Sequence, residues 1–241
     1  MAIKLLALDL DDTLLNSKKD VSPEDFAAVM KAKEKGVEIV LATGRAAAGA
    51  TEYNKLLGIG DYTIAIGGSH VTTKDGKTIF SCCLPPQATK EILAFADEKG
   101  YYCQIYPCDG NHYFKKDDLQ IAKILIIVNE DDMEPVRKLI LQKFSDVSVE
   151  FSQAEYVEVS SPKASKGVAL KFLADYLGIK REEVMAMGDS EIDTPMLEYA
   201  GVGVAMKNAY DSVKKAADYV TENDCDHGGV AEAINKFILG D

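Results

Sequence analysis

The chain of 241 residues is long enough for one large domain, or for a core domain with a smaller partner. Apolar residues make up 47% of it, charged residues 27%, and no apolar run exceeds five residues, which excludes disordered, fibrous and membrane-spanning proteins. The 39 acidic residues outnumber the 27 basic ones, and a formal net charge of −12 disfavours binding to nucleic acid or to an anionic membrane.

The first part of the chain alternates between short apolar strands and helices. Ser22–Pro23 offer an N-cap and a first-turn proline for one helix, and a second helix is predicted over Arg45–Leu57. The strands around them are apolar on both faces, which is typical of buried parallel strands. They are predicted at Ile3–Asp9, Val37–Leu41 and Tyr62–Ile66. Asp75–Gly76 then indicates a hairpin.

The pattern changes between residues 84 and 164. Helices are predicted at residues 87–99 and 132–144. Short strands are predicted at residues 101–106, 112–114, 122–128, 147–151 and 156–159. From Ser165 the alternation of helix and strand resumes, with strands at residues 184–187 and 201–205.

We therefore predict an α/β protein whose core is a doubly wound, Rossmann-like parallel sheet. Residues 1–83 and 165–241 form this core, and residues 84–164 form a smaller inserted α+β domain. Ligands of open parallel sheets bind at the carboxyl ends of the strands. The residues that follow each strand are therefore the candidates for function.

Acidic residues follow two of the predicted core strands. Asp9 and Asp11 leave the first strand on the same side of the backbone, and Asp189 and Asp193 follow the strand at residues 184–187. Turn formation is the alternative role for such acids, and Asp193 also stands at a helix N-cap position. Four carboxylates at one sheet edge repel one another, so the cluster requires a divalent cation. Oxygen ligands with positions left for water and phosphate favour Mg²⁺.

Two further segments offer groups that bind anions. Thr43, Gly44 and Arg45 follow the second strand, where a glycine permits close approach and a hydroxyl lies near a helix N-terminus. Lys166 opens a helix, and its charge opposes the helix dipole there unless an anion is bound nearby. The alternatives are that Thr43 is an ordinary N-cap and that Lys166 points into water.

Acids, hydroxyl, lysine and Mg²⁺ together indicate a site for phosphoryl transfer. Asp9 is the predicted nucleophile, because a carboxylate can form an aspartyl-phosphate. Asp11 is the predicted acid and base, which protonates the leaving oxygen and later activates water. Thr43 and Lys166 are predicted to hold the phosphoryl oxygens, together with Gly44 and Arg45.

These segments resemble, in order and spacing, the four motifs of the haloacid dehalogenase superfamily. The matching segments are Asp9–Leu15, Leu41–Arg45, Lys166–Gly167 and Gly188–Asp193. Within the superfamily, the chain is similar to the Cof-type phosphatases, whose α/β cap of the C2B type is inserted between the second and third motifs. Gly201–Ala209 also resembles the family's segment after the fourth motif.

The resemblance implies a Mg²⁺-dependent phosphatase of small phosphorylated metabolites, often sugar phosphates. It implies that Asp9, the backbone carbonyl of Asp11, and Asp189 bind the metal, with Asp193 supporting its water ligands. Two departures from the family pattern put rate or substrate range in question. Ile192 stands where Asn is usual, and Gly67–Gly68–Ser69 replaces Asn-Gly-Ala.

Two other functions remain open at this point. One is phosphoryl transfer to a second sugar hydroxyl, as in mutases that share this fold. The other is a non-catalytic receiver or phosphate-binding module, although receivers carry their phosphorylated Asp after the third strand, where this chain has Gly67. In the insert, the loop Tyr106–His112 is the candidate for substrate contact, and a solvated hairpin turn is the alternative.

Location and partners follow from simpler observations. Residues 1–9 lack the regions of a signal peptide, and the five cysteines are odd in number and contain no Cys-x-x-Cys pair. Neither a disulfide framework nor a zinc site is indicated, so we expect a cytoplasmic protein. We also expect a small phosphorylated metabolite as its partner, and a monomer or weak homo-oligomer.

Overall fold

A computed structural model describes residues 2–108 and 120–240. It divides into two compact units, which are described separately below. Met1–Ile79 and Ser165–Asp241 form the first, here called the core unit, and Phe80–Ala164 form the second, here called the insert. The predicted strand at residues 112–114 and part of the predicted substrate loop lie outside the described residues.

The strands and helices follow the predicted alternation. The strands are β1 Leu5–Leu8, β2 Glu38–Ala42, β3 Tyr62–Ala65, β4 His70–Thr73, β5 Thr78–Ser81, β6 Tyr102–Pro107, β7 Ile121–Ile127, β8 Ser148–Gln153, β9 Tyr156–Ser160, β10 Val184–Gly188, β11 Val202–Ala205 and β12 Tyr219–Val220. The helices are α1 Pro23–Glu34, α2 Ala47–Leu57, α3 Pro86–Lys99, α4 Glu130–Lys143, α5 Lys166–Leu177, α6 Thr194–Tyr199, α7 Asp211–Ala216 and α8 Gly229–Ile234.

The core unit is built on an eight-stranded sheet in the order β12-β11-β10-β1-β2-β3-β4-β5. The strands from β12 to β3 pair in parallel, and β4 runs antiparallel to β3. All four residues of β1 are fully buried, which explains why its sequence is apolar at every position. The central strand therefore ends in a fixed place, and the loop after it begins at Asp9.

The insert has a separate antiparallel sheet in the order β6-β7-β9-β8. Ile92 of α3 and Ile140 of α4 belong to the same apolar core as Ile124 and Val159, on one face of that sheet. A large, mostly parallel sheet and a separate antiparallel sheet confirm the predicted fold class. Among the described residues, no helix combines the length and the apolar character needed to cross a bilayer.

One expectation about the cysteines is wrong. Cys83 and Cys108 form a disulfide within the insert, with their Cα atoms 6.0 Å apart. The two residues meet because the chain on each side of the disulfide bonds to the start of β7. The amide of Leu84, next to Cys83, donates to the carbonyl of Ile121, and the amide of Cys108 donates to the carbonyl of Gln120. Disulfides are rare in reducing compartments, so cysteine usage no longer supports a cytoplasmic location.

Helix α2 begins two residues later than predicted. The sequence predicts its start at Arg45, whereas the helix begins at Ala47. The amide of Arg45 donates to Oγ1 of Thr43 at 3.1 Å, and the Arg45 side chain bonds to Asp11. Arg45 thus belongs to the loop that follows β2, at the edge where ligands of parallel sheets bind.

Candidate active site

The candidate residues lie at one edge of the core sheet because of the strand order. Strand β1 pairs in parallel with both β10 and β2, so the carboxyl ends of all three strands lie side by side. Asp9 follows β1, Thr43 follows β2, and Asp189 follows β10. Asp9, Thr43 and Asp193 are almost completely buried, whereas Asp11 and Asp189 are half-buried.

Three of the four predicted carboxylates form a compact cluster. Asp9, Asp189 and Asp193 each place one carboxylate oxygen within 4.8 Å of the others. The side chain of Asp193 turns back towards the residues that follow β10. Its Oδ2 atom accepts hydrogen bonds from the amides of Asp189 and Ser190 and from the Ser190 hydroxyl. A Cβ atom on Gly188 would lie 2.4 Å from that of Asp193, so the close approach requires glycine.

Lys166 lies in the centre of this cluster and is fully buried. Its Nζ atom donates to Oδ1 of Asp9 at 2.6 Å and to Oδ1 of Asp193. Burial alone would lower the pKa of the Lys166 ammonium, but the charges of Asp193 and Asp9 more than reverse this effect, and the net shift of the pKa is upward. The side chain therefore stays protonated, and the alternative of a solvated lysine is wrong.

The backbone around Lys166 is held by close packing. A Cβ atom on Gly167 would lie 2.2 Å from the carbonyl oxygen of Pro195, so α5 and α6 approach closely at this point. On the other side, a Cβ atom on Gly68 would lie 2.5 Å from the amide nitrogen of Lys166. Gly67 and Gly68 both have positive φ, at +63° and +98°, and the amide of Gly67 donates to the carbonyl of Thr43. The turn after β3 thus supports both Thr43 and Lys166.

The carboxyls of Asp9 and Asp189 have raised pKa values. Burial, reinforced by the negative charge of Asp193, raises the pKa of Asp189 to about 7. Burial and Asp193 also raise the pKa of Asp9, although Lys166 acts in the opposite direction. The hydroxyl of Thr13, which is fully buried, donates to Oδ1 of Asp189 at 3.2 Å and orients that carboxyl.

Asp11 has a different environment from the other three acids. Arg45 donates to both of its oxygens, from Nε at 2.9 Å and from Nη2 at 2.8 Å, and Nζ of Lys19 lies 3.3 Å from Oδ1. Partial burial would raise the pKa of Asp11, but these bonds and charges outweigh it and lower the pKa. The carboxylate of Asp11 is engaged by two cations, and the backbone carbonyl is the group that the family resemblance assigns to the metal.

Thr43, Gly44 and Ile192 lie together beside the cluster. Oγ1 of Thr43 accepts a hydrogen bond from the amide of Arg45, in the loop before α2. A Cβ atom placed on Gly44 would lie 3.6 Å from Cδ1 of Ile192, an ordinary van der Waals distance. Ile192, which replaces the usual Asn, is half-buried and presents an apolar methyl at this position.

The donor set fits a hard divalent cation. All the donors are oxygens, which Mg²⁺ and Ca²⁺ prefer. The three carboxylates of Asp9, Asp189 and Asp193 lie close together, and one ammonium, that of Lys166, bonds to two of them, Asp9 and Asp193. A cation bound there would supply the positive charge that balances these carboxylates.

Comparisons with known proteins identify the family. The family model described as haloacid dehalogenase-like hydrolase matches residues 6–116 and 107–234. The chain belongs to the haloacid dehalogenase-like hydrolases. The family and the enzyme class predicted from the sequence, a hydrolase of phosphoric monoesters, are therefore confirmed.

Individual haloacid dehalogenase-like proteins match over nearly the whole chain. The putative phosphatase YxeH of Bacillus subtilis is 32% identical, over 98% of this chain and 98% of its own. The 5-amino-6-(5-phospho-D-ribitylamino)uracil phosphatase YcsE of the same organism is 31% identical, over 98% of this chain and 96% of its own. A solved haloacid dehalogenase-like hydrolase from B. subtilis superimposes with a TM-score of 0.86 at 29% identity, and the match covers 98% of this chain and 100% of that one.

Sequence reasoning missed several side chains that complete the site of this haloacid dehalogenase-like hydrolase. Thr13 orients Asp189, and Ser190 holds Asp193. Lys19 lies beside Asp11, and Tyr53 lies beside Arg45. Thr13 and Ser190 are part of the quoted motifs, and their position beside acids is the signal that could have identified them. No motif marks Lys19 or Tyr53, because only the folded loop brings them near Asp11.

Proposed function

We propose that the protein is a Mg²⁺-dependent phosphatase of small phosphorylated metabolites and that it acts through an aspartyl-phosphate on Asp9. One observation carries this proposal. Oδ1 of the buried Asp9 is held by Lys166, and of the described residues none donates to Oδ2. One oxygen of a fixed carboxylate is thus left for attack on phosphorus, beside a cluster that fits a cation.

In the first step, Oδ2 of Asp9 forms a bond to phosphorus while the bond from phosphorus to the ester oxygen breaks. Asp11, which when protonated keeps the hydrogen bond from Arg45 to its other oxygen, gives its proton to the departing oxygen. Lys166 and the hydroxyl of Thr43 stabilise the negative charge on the phosphoryl oxygens. Gly44 forms part of the wall of the pocket on the side of β2, and Arg45 binds the carboxylate of Asp11.

In the second step, water attacks the aspartyl-phosphate and Asp11, now a carboxylate, accepts its proton. The products are inorganic phosphate and a regenerated Asp9. Arg45 and Lys19 favour the ionised form of Asp11, which is the form this step requires. The two steps together consume one water molecule and return every group to its starting state.

The metal ligands we propose are Asp9, Asp189 and the backbone carbonyl of Asp11. Mg²⁺ bound there supplies positive charge that neutralises the phosphoryl group and lowers the repulsion between that group and the carboxylates. Asp193 is assigned a supporting role, because its side-chain oxygens already bond Lys166, Ser190 and the amide of Asp189.

For the substrate, we propose a phosphorylated sugar or sugar alcohol. The relative YcsE is named for a substrate that carries a phosphorylated ribityl chain, and this supports a polyol phosphate. The insert is proposed to act as a cap that selects the leaving group, with Tyr106–Cys108 as the described part of its candidate loop. Cytoplasmic location and a monomeric or weakly associated state stay predictions.

The proposal is tested by phosphate release from a panel of sugar phosphates, nucleotides and cofactor phosphates with Mg²⁺. We expect release that stops with EDTA and returns with Mg²⁺, and that is lost in Asp9→Asn. Asp20→Asn, an exposed acid of the same loop, serves as the matched control and should keep the wild-type rate. Metal-independent release, or an active Asp9→Asn variant, would contradict the proposal. Conversion of one sugar phosphate to another without phosphate release would identify a mutase instead.

A further inference from the structure

Four residues from three segments form a closed ring of contacts around the carboxylate of Asp11. They are Asp11, Lys19, Arg45 and Tyr53, and this set is called the Asp11 ring below. Arg45 binds both oxygens of Asp11, and Cζ of Arg45 lies 5.0 Å from the centre of the Tyr53 ring. The Tyr53 hydroxyl donates to the carbonyl of Lys19 at 3.1 Å, and the ammonium of Lys19 returns to Asp11 at 3.3 Å.

Apart from the two hydrogen bonds between Arg45 and Asp11, no single contact of this ring is strong enough to fix a side chain at the surface. The side chains of Asp11, Arg45 and Lys19 are 38%, 33% and 49% exposed, and solvent screening weakens ion pairs of this kind. A cation over an aromatic face is likewise weak at an exposed site. Closure of the ring changes this, because each member is held from two sides.

Tyr53 is the member that connects the two cations. Its ring lies against the guanidinium of Arg45, and its hydroxyl holds the backbone of Lys19, which has a φ of +63° that non-glycine residues rarely adopt. Tyr53 lies on α2, a regular helix anchored in the core unit by its buried residues Ala50 and Asn54. The helix thus provides a rigid support for a loop that carries a reacting group.

We propose that Tyr53 is a positioning residue, which acts through Arg45 and Lys19 to hold the carboxyl of Asp11 where it can protonate the leaving oxygen. This inference rests on the proposed function, in which Asp11 is the acid. Tyr53 itself touches neither substrate nor metal in this scheme. Arg45, which the sequence predicts as a phosphate-binding residue, is assigned to Asp11 instead.

Dependence on the leaving group distinguishes this role from a general loss of structure. A misplaced acid slows departure of a poor leaving group, whereas a good leaving group departs without a proton. Phenyl phosphate and p-nitrophenyl phosphate have nearly the same shape, and phenolate is much the poorer leaving group. The value of kcat/KM reports the step that releases this group, so the ratio of the two kcat/KM values measures the placement of the acid.

The experiment compares Tyr53→Leu, Tyr53→Phe and Arg45→Lys with the wild type on both esters, with Mg²⁺ present. Tyr53→Leu removes the aromatic face and the hydroxyl, and we expect kcat/KM for phenyl phosphate to fall about tenfold while that for p-nitrophenyl phosphate changes less than about twofold. Tyr53→Phe keeps the aromatic face and should show a smaller change in the same direction. Arg45→Lys should resemble Tyr53→Leu, because lysine cannot bind both oxygens in the same fork geometry.

The matched control is Tyr176→Leu. Tyr176 is an exposed tyrosine with aromatic neighbours, and it lies ten residues beyond Lys166 on α5, about 15 Å along the helix axis. Its ratio of kcat/KM values should equal that of the wild type. An unchanged ratio in both Tyr53→Leu and Arg45→Lys, or an equal fall for both esters, would overturn the inference while leaving the phosphatase proposal in place. If the wild type hydrolyses neither ester nor any phosphate of the panel, both proposals fail.

Discussion

Nζ of Lys166 lies 2.6 Å from Oδ1 of Asp9, although the two residues are separated by 157 positions in the chain. Asp9 follows the central strand β1, and Lys166 begins the helix that follows the insert. Neither side chain is accessible to any significant extent. The site therefore depends on a buried charge contact that forms only when the two parts of the core unit assemble.

Removal of the charge of Lys166 should lower the free energy of unfolding and stop catalysis. In Lys166→Met, the carboxylates of Asp9 and Asp193 stay buried without their partner, and breaking a buried pair in this way costs about 3–5 kcal/mol. The measurements are urea unfolding at pH 7 and phosphate release, for which we expect a loss of at least about a hundredfold. Lys171→Met, which removes an exposed lysine from the same helix, should unfold at the wild-type urea concentration. The same midpoint in Lys166→Met would contradict this account.

Gly188→Ala should damage the site without any change of charge. The added Cβ atom would lie 2.4 Å from Cβ of Asp193, so Asp193 must move away from the amides that donate hydrogen bonds to it. Overpacking of this kind costs about 1–3 kcal/mol, and we expect a matching loss of activity as Lys166 loses a fixed partner. Thermal unfolding and kcat are the measurements.

Gly49→Ala is the control for the glycine experiment. Gly49 lies inside α2 and has no atom within 4 Å of an added Cβ. Alanine is the better helix former, so this variant should be about 0.5–1 kcal/mol more stable than the wild type, with unchanged activity. Equal effects of the two substitutions would mean that the contact at Gly188 has no special role.

Stabilisation by Mg²⁺ should increase with pH. The pKa of Asp189 is raised from 3.8 to about 7 in the folded, metal-free protein, so a proton competes with the metal below neutrality. Because the folded protein binds the proton of Asp189 more tightly than the unfolded chain does, this proton adds to the free energy of unfolding. The contribution is complete below about pH 4 and is lost as pH rises through about 7. The metal-free protein should lose this contribution over the same range in which it gains affinity for Mg²⁺.

The test is the shift in unfolding temperature caused by Mg²⁺ at pH 5.5 and at pH 8. We expect a large shift at pH 8 and a small one at pH 5.5, because apparent affinity falls about tenfold per pH unit below the pKa of a competing group. Asp189→Asn should reduce the shift at both values and remove most of its pH dependence. A shift of equal size at both pH values in the wild type would count against Asp189 as a metal ligand.

The insert should contain one disulfide. Under denaturing conditions without reductant, an alkylating reagent should label Cys82, Cys103 and Cys225, the free cysteines of the described residues, and should label all five cysteines after reduction. In Cys83→Ser, Cys108 should become labelled without reductant. Labelling of five thiols in the unreduced wild type would show that the bond does not form in the purified protein.

The fold and the acidic cluster could be predicted because both depend on local patterns. Apolar runs such as Leu5–Leu8 indicate buried parallel strands, and parallel strands place the residues that follow them at one edge. The approach of Asp9 to Lys166 also follows from this topology, since each residue lies at the end of an element that the sequence marks clearly. Burial of Lys166 could be inferred only from the charge that opposes the helix dipole.

The rest depends on contacts between distant loops that leave no periodic trace. The sequence predicts a start for α2 that is two residues too early, because helix propensity does not reveal that Arg45 bonds to Asp11. The pairing of Cys83 with Cys108 depends on how the chain enters the insert beside β7, and spacing in sequence does not show it. Tyr53 and Lys19 are ordinary surface residues until the loop after β1 folds against α2.

The steric course of the reaction at phosphorus tests the central claim most directly. Attack by Asp9 and then by water inverts the phosphorus centre twice, so a thiophosphate ester made chiral with two heavy oxygen isotopes should, in ordinary water, give chiral inorganic thiophosphate with net retention of configuration. Direct attack by water inverts it once. Retention is the result we predict, and inversion would contradict a covalent role for Asp9.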